Sequence, residues 1–155
     1  DDPPSIIDRI DALVEKFYTE NAAIAVASRY MPGGEHVGGP WLKGFLSRMA
    51  GLSLHYVIGL PTHDATYATR LYRKSFLESV AIEAEKGFEM TLELTLKAYF
   101  QGEKIVEIPV SWHERVVGES RFPILKWLPA YLKWYFWGIR MRYWTARRNP
   151  DFRRG

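Results

Sequence analysis

Cysteine is absent from all 155 residues, which excludes a disulfide framework, a cysteine nucleophile and any zinc site that needs thiolates. That absence suits a reducing compartment. No uninterrupted apolar stretch reaches the roughly 18 residues needed to cross a bilayer, and the acidic opening Asp1-Asp2-Pro3-Pro4 lacks the basic-then-apolar order of a signal peptide. Neither spanning nor secretion is expected. There is no internal repeat, and no linker-like stretch precedes the C-terminal segment. The histidines, His36, His55, His63 and His113, show no metal-ligand spacing, so no zinc or iron site is expected.

What is present is an ordinary globular composition, with 47% hydrophobic and 25% charged residues, enough for one core of usual domain size. The charge is unevenly placed. Residues 1–120 carry 12 Lys and Arg against 17 Asp and Glu, whereas residues 121–155 carry 9 against 1. The second segment also holds four of the six tryptophans, Trp127, Trp134, Trp137 and Trp144. A basic aromatic element on an acidic body points to a polyanionic partner, either a membrane surface or a nucleic acid.

Helix and strand patterns alternate along the chain, which predicts an α/β fold with a mixed sheet flanked by helices. Asp2 is expected to cap a first helix, with Pro3 and Pro4 in its first turn, that runs to about Thr19. Residues 22–27 (AAIAVA) read as a strand buried on both faces, followed by a long Gly- and Pro-rich loop over 28–40. Further helices are expected over 41–56, around Phe76 and Leu77, and from Phe88 to Gly102. Strands are expected over 66–72 and 105–112. Glu93 stands four residues before Lys97, the spacing of an ordinary surface ion pair. The last helix is expected to start near Leu128-Pro129. Along it Lys126, Lys133, Arg140 and Arg147 recur every seven residues, flanked by Trp134, Trp137 and Trp144, as in a helix lying in the plane of a bilayer interface. These residues are therefore expected to face a membrane, with residues 122–155 forming an interfacial unit distinct from residues 1–121.

A set of short motifs in a shared order carries a resemblance. It comprises Asp2-Pro3-Pro4 opening a helix, Ser28-Arg29-Tyr30 with Gly33-Gly34, Ser47-Arg48, Asp64-Ala65-Thr66 leading to Arg70-Leu71-Tyr72-Arg73, Gly87-Phe88 with Glu93-Leu94 and Lys97-Ala98. Gly102, Ile105, Glu107-Ile108-Pro109-Val110 and Arg115-Val116-Val117-Gly118-Glu119-Ser120-Arg121 complete it. In this order and over nearly the whole chain, the sequence resembles the family 2 glycosyltransferases, in particular the dolichol-phosphate mannosyltransferase branch. The resemblance implies the C-terminal part of a GT-A-type nucleotide-diphospho-sugar transferase fold, with nucleotide sugar and polyprenyl phosphate as partners, a membrane surface on the cytoplasmic side, no nucleic acid, and room for a homo-oligomer at an exposed sheet edge. It also implies a divalent cation, Mg or Mn, whose Asp-x-Asp ligands lie upstream. Asp1 and Asp2 look like the residues just after that motif, so this part alone is expected to be inactive.

Within that frame Arg29, Tyr30, Gly33 and Gly34 match an acceptor loop, and Lys43, Arg70, Arg115, Ser120 and Arg121 are the further substrate-binding candidates. A phosphate acceptor is ionised near neutral pH and attacks without a strong base, so the site mainly needs fixed cations. Backbone amides of Gly33 and Gly34 are placed to approach an anion. Asp64 is the catalytic candidate, as a base or as an organiser; a base matters most if the acceptor is a saccharide hydroxyl. Tyr67-Ala68-Thr69 departs from the branch's usual Ser-Gly-Phe-like run, and Gly44 and Gly51 stand where the branch commonly has Arg and Asn. These departures keep open a saccharide acceptor, and a non-catalytic module binding membrane or nucleic acid remains a third reading.

Overall fold

The computed structural model describes residues 5–114 and 124–153. Helix α1 (Ile6–Thr19) opens at Ser5, whose backbone N–H and hydroxyl both donate to the Asp8 carboxylate at 3.2 and 2.7 Å. The expected cap Asp2, with Asp1, Pro3 and Pro4, lies outside the described residues. Leu13 and Phe17 are the buried face of α1 and pack on Ala25, Ala27, Val106 and Ile108. Those residues belong to the central strand β1 (Ile24–Ser28) and its neighbour β4 (Ile105–Pro109).

Strand β1 is buried along its whole length, as its small and β-branched side chains require when both faces are covered. It pairs in parallel with β4, from Ile24↔Ile105 to Ser28↔Pro109, and antiparallel with β3 (Arg70–Tyr72), giving the order β3-β1-β4. On the face opposite α1, Ile24, Val26 and Ile105 meet Phe76 of the short helix α3 (Lys74–Ser79) and Leu94 and Ala98 of α4 (Met90–Phe100). Helix α4 is buried on both sides, because Leu92 and Leu96 point away from the sheet into a further cluster with Leu54, Ile58, Leu60 and Trp134. Full burial of each such side chain contributes about 1.5–3 kcal/mol.

The loop expected over 28–40 contains a strand, β2 (Glu35–Val37), that pairs in parallel with β5 (Ser111–His113) in a second, two-stranded sheet. The strand expected over 105–112 is accordingly two strands. Pro109 has no N–H for the β1 ladder, and Val110 bridges the sheets, donating to Ser28 O and accepting from Glu35 N, both at 3.0 Å. The strand expected over 66–72 is shortened to β3, because residues 64–67 turn inward onto the Arg70 side chain. Helix α2 (Trp41–Ser53) runs on as a π-helical turn (Leu54–Ile58) stopped by Gly59 at φ +84°.

Helix α5 (Ile124–Arg148) starts earlier than expected, with Pro129 inside it near its exposed beginning. Its orientation also differs from the expectation. Trp134 is only 3% exposed, sits in the core cluster with Leu92 and Leu96, and cannot face a membrane. Trp137 is half-buried and packs edge-on against Phe100 at 5.7 Å. The Glu93–Lys97 pair, expected at the surface, is inside: Glu93 is buried, accepts from Lys97 at 2.7 Å, and also takes the backbone N–H groups of Glu83 and Ala84.

Candidate functional site

Strands β1 and β4 end side by side, and the chain leaving β1 puts Arg29 at that point. Its guanidinium makes a two-point ion pair with Asp64, Nε to Oδ2 at 2.8 Å and Nη2 to Oδ1 at 3.0 Å, and Nη2 also donates to Ser47 Oγ at 3.2 Å. The rings of Tyr30 and Tyr67 lie on the guanidinium at 4.7 and 4.4 Å. Burial alone would pull the Arg29 guanidinium down, but the hydrogen bond and charge of Asp64 outweigh it and hold it above its ordinary value. Burial likewise pushes the Tyr30 hydroxyl up, against the opposing charge of Arg29.

Asp64 is fully buried. Its carboxylate accepts the two Arg29 side-chain bonds, the Arg29 backbone N–H at 3.2 Å and the Tyr67 backbone N–H at 3.2 Å, which fills its acceptor positions. The segment carrying it is pinned from β4. Glu107 accepts from Thr62 Oγ1 at 3.0 Å and from the His63 backbone N–H at 2.9 Å, and it pairs with His63 Nδ1 at 2.5 Å. The His55 ring stacks on His63 at 3.8 Å.

Around this pair a cleft of about 760 Å³ opens between α2, the 66–68 segment, the end of β5 and the first half of α5. Its walls are mostly apolar and aromatic, with Leu46, Met49 and Ala50 from α2, Trp112 from β5, and Leu128, Tyr131, Leu132 and Tyr135 from α5. Ser53 Oγ and the Tyr135 hydroxyl share a hydrogen bond at 2.9 Å that ties the two helices together. Burial, and secondarily the charge of Glu89, pushes the Tyr131 hydroxyl up to about 12, so it serves as a neutral donor, to Phe88 O at 3.1 Å. One end of the cleft is polar. There Arg29, His36, Lys43 and Glu114 line it, with Glu114 Oε1 3.6 Å from Lys43 Nζ and Oε2 3.6 Å from His36 Nε2. Burial, then the charge of Arg29, lowers the His36 imidazole below its ordinary value against the opposing pull of Glu114.

Of the expected substrate-binding residues, Arg29, Tyr30 and Lys43 come together here. Arg70 does not join them. Its Nε donates to Tyr67 O at 2.6 Å, its Nη2 to Asp64 O at 2.7 Å, and its Nη1 to Thr95 Oγ1, so it braces the 64–67 segment against α4. Gly34 lies apart from the anion role expected of it: its N–H donates to Met31 O at 2.9 Å, and a Cβ there would come within 2.6 Å of Ser28 O. Gly33 holds the same turn at φ +87°. Arg115, Ser120 and Arg121 lie outside the described residues.

Of the expected membrane-facing residues, Lys126, Lys133, Arg140, Trp144 and Arg147 are exposed, while Trp134 and Trp137 are turned inward. The apolar residues exposed beside the cleft are others. Trp41 and Phe45 of α2 are 79% and 54% exposed, and Phe136 of α5 is 62% exposed, with Met49 and Leu132 at the rim itself. The aromatic wall, Ser47, His36 and Glu114 were not read from the sequence. The substituted run at 67–69 and the Ser47-Arg48 match were the signals that bordered them. Among the described residues no group of three or more His, Asp or Glu is arranged to hold a metal ion, and no helix is long and apolar enough to cross a membrane.

No protein-family model matches the chain. It is 33% identical over 144 residues to a polyprenol monophosphomannose synthase of Mycolicibacterium smegmatis, an alignment covering 92% of this chain and 51% of that protein. It is 31% identical over 102 residues to an undecaprenyl-phosphate mannosyltransferase of Micrococcus luteus, covering 64% of this chain and 42% of that protein. The chain spans about half the length of these curated relatives, and both names describe sugar transfer involving a polyprenyl phosphate.

Proposed function

We propose that this chain is the acceptor-binding part of a family 2 glycosyltransferase of GT-A type, which moves a sugar of the mannose class from a nucleotide sugar to a polyprenyl phosphate at the cytoplasmic face of a membrane. The observation that carries the reading is the two-part cleft. Its long apolar wall suits an isoprenoid chain, and its polar end, with Arg29, His36 and Lys43, suits a phosphate. In the reaction, a phosphate oxygen attacks the sugar's anomeric carbon, the bond from that carbon to the nucleotide's diphosphate breaks, and the nucleoside diphosphate leaves with the electron pair. A phosphate monoester has its second pKa near about 6 and needs no base to attack. Asp64, with its acceptor positions filled, then acts as the organiser of Arg29 and Tyr67 rather than as a base. That geometry favours a phosphate acceptor over a saccharide hydroxyl.

Arg115, Ser120 and Arg121 are proposed to complete the anion site. The divalent cation on the donor's diphosphate is proposed to be held by residues outside this chain. The exposed rim of Trp41, Phe45, Met49, Leu132 and Phe136, bordered by Lys126, Lys133 and Arg140, is proposed to rest on the bilayer so that the cleft opens toward the lipid.

Titration with farnesyl phosphate, followed by fluorescence of the cleft tryptophans Trp112 and Trp127, tests the acceptor site. Saturable quenching is expected with farnesyl phosphate, tighter than with farnesol or inorganic phosphate. Equal affinity for farnesol and farnesyl phosphate would show that the polar end takes no phosphate.

A further inference from the structure

Two aromatic side chains stand where the polar end of the cleft gives way to its apolar wall. Trp112 is one of them. On β5 it is the cross-strand partner of His36 in the β2–β5 ladder, so the two side chains share a face of that sheet, and both line the cleft. Tyr67 is the other. Its ring lies on the Arg29 guanidinium at 4.4 Å, and it meets the Trp112 ring at 5.8 Å with 57° between the two planes. The rings form a corner, with Arg29 on the Tyr67 side and His36 on the Trp112 side.

The corner is held from within the chain. The Tyr67 backbone N–H donates to Asp64 Oδ1 at 3.2 Å and its carbonyl accepts from Arg70 Nε at 2.6 Å, so both of its backbone groups are tied down. Trp112 is fixed by its place in the ladder. Tyr67 opens the run 67–69 that departs from the Ser-Gly-Phe-like run of the resembling branch, and a serine there would leave Trp112 without its partner ring.

A phosphate seated at the polar end leaves its ester carbon at this corner, and the first isoprene unit follows it there. In an allylic prenyl phosphate that unit is flat. The double bond between its second and third carbons holds the attached carbons in one plane, and that flat face can lie on an aromatic ring over its whole area. When the same bond is saturated, the third carbon becomes tetrahedral, its substituents leave the plane, and the unit gains rotations that binding has to freeze.

We propose that Tyr67, together with Trp112, is a specificity-determining residue that reads the first isoprene unit of the acceptor, so that the cleft prefers allylic prenyl phosphates to those whose first unit is saturated. This rests on the reading that the cleft binds a prenyl phosphate. The ring of Tyr67, and not its hydroxyl, is the group that discriminates.

The test uses geranyl phosphate and citronellyl phosphate, which share one carbon skeleton and differ only in that double bond, with geraniol as the uncharged control. Isothermal titration calorimetry on the wild-type chain is expected to show geranyl phosphate binding about threefold more tightly or better. Tyr67→Phe is expected to keep that ratio, whereas Tyr67→Leu, which fills the space without a ring, is expected to lower it to about unity. Equal binding of the two phosphates by the wild type, or a ratio that survives in Tyr67→Leu, overturns the inference. Should Tyr67→Leu fail to fold, Trp112→Leu is measured in its place; it is expected to lose the ratio in the same way, and a ratio intact there overturns the inference as well. If neither phosphate binds more tightly than geraniol, it is the proposed function that fails, so the two failures are distinguishable.

Discussion

At the residue scale the decisive contact is Asp64 with Arg29, two side chains 35 positions apart whose charges cancel inside the protein. The carboxylate is fully buried and keeps the guanidinium against the rings of Tyr30 and Tyr67 at the head of the cleft. Removing one partner of such a pair leaves the other charge without its counterion, at a cost of about 3 kcal/mol or more. Asp64→Asn is therefore expected to lower the urea unfolding free energy by that amount and to weaken farnesyl phosphate binding together with it. If Asp64 instead served as a base, the substitution would leave stability and binding intact and abolish only turnover, measured with a nucleotide sugar and farnesyl phosphate. Arg29 was legible as a cation at the end of a strand and Asp64 as a base or organiser before the next one. That they satisfy each other was not legible, because nothing local records which strand end faces which loop. Arg70 shows the same limit from the other side: an arginine inside a strand pattern looked like a ligand-binding cation and is a brace for four oxygens of the protein.

At the element scale, α5 carries two kinds of tryptophan. Helical spacing alone assigns Trp134, Trp137 and Trp144 to the flanks of the basic stripe, but α4 meets α5 along the Trp134 face. Close approach there depends on Gly138, where a Cβ would come within 2.8 Å of Leu96 Cδ2. Trp134→Ala is expected to cost about 3–5 kcal/mol, read as a lower midpoint in urea denaturation, because it empties a packed core site. Trp144→Ala, on the exposed side, is expected to leave that midpoint within about 0.5 kcal/mol while reducing co-sedimentation with vesicles of phosphatidylcholine and phosphatidylglycerol. Equal stability loss in the two variants would show that the exposed face of α5 is also packed. The split of the 105–112 run into β4 and β5 has the same origin. Its alternation of residue types fits one strand, and only the position of β2 draws its second half into another sheet.

At the scale of the whole molecule, the described residues form a three-stranded sheet, covered by α1 on one side and by α4 and then α5 on the other, and a second, two-stranded sheet, with the cleft opening beside α2 and α5. The chain spans about half of its relatives, and the proposed reaction also needs a nucleotide-sugar site. The chain on its own is accordingly expected to bind farnesyl phosphate and yet release no nucleoside diphosphate from a nucleotide sugar, as measured by a coupled assay for that product. Turnover by the isolated 155 residues would move the donor site into this chain and undo the division of labour proposed here.

The alternation of helices and strands, the fully buried central strand and the basic aromatic C-terminal helix were determined by the sequence by itself. Those features rest on periodicity, glycine and proline placement and charge, which act over a few neighbouring residues. The pairing of Arg29 with Asp64, the burial of Trp134, the inward turn of Arg70 and the meeting of Glu114 with Lys43 were decided only by the tertiary structure. Each joins segments distant along the chain. Their contact follows from how two sheets and two long helices pack, since side chains of the same type satisfy a local pattern equally well whether they end in the core, in the cleft or in water.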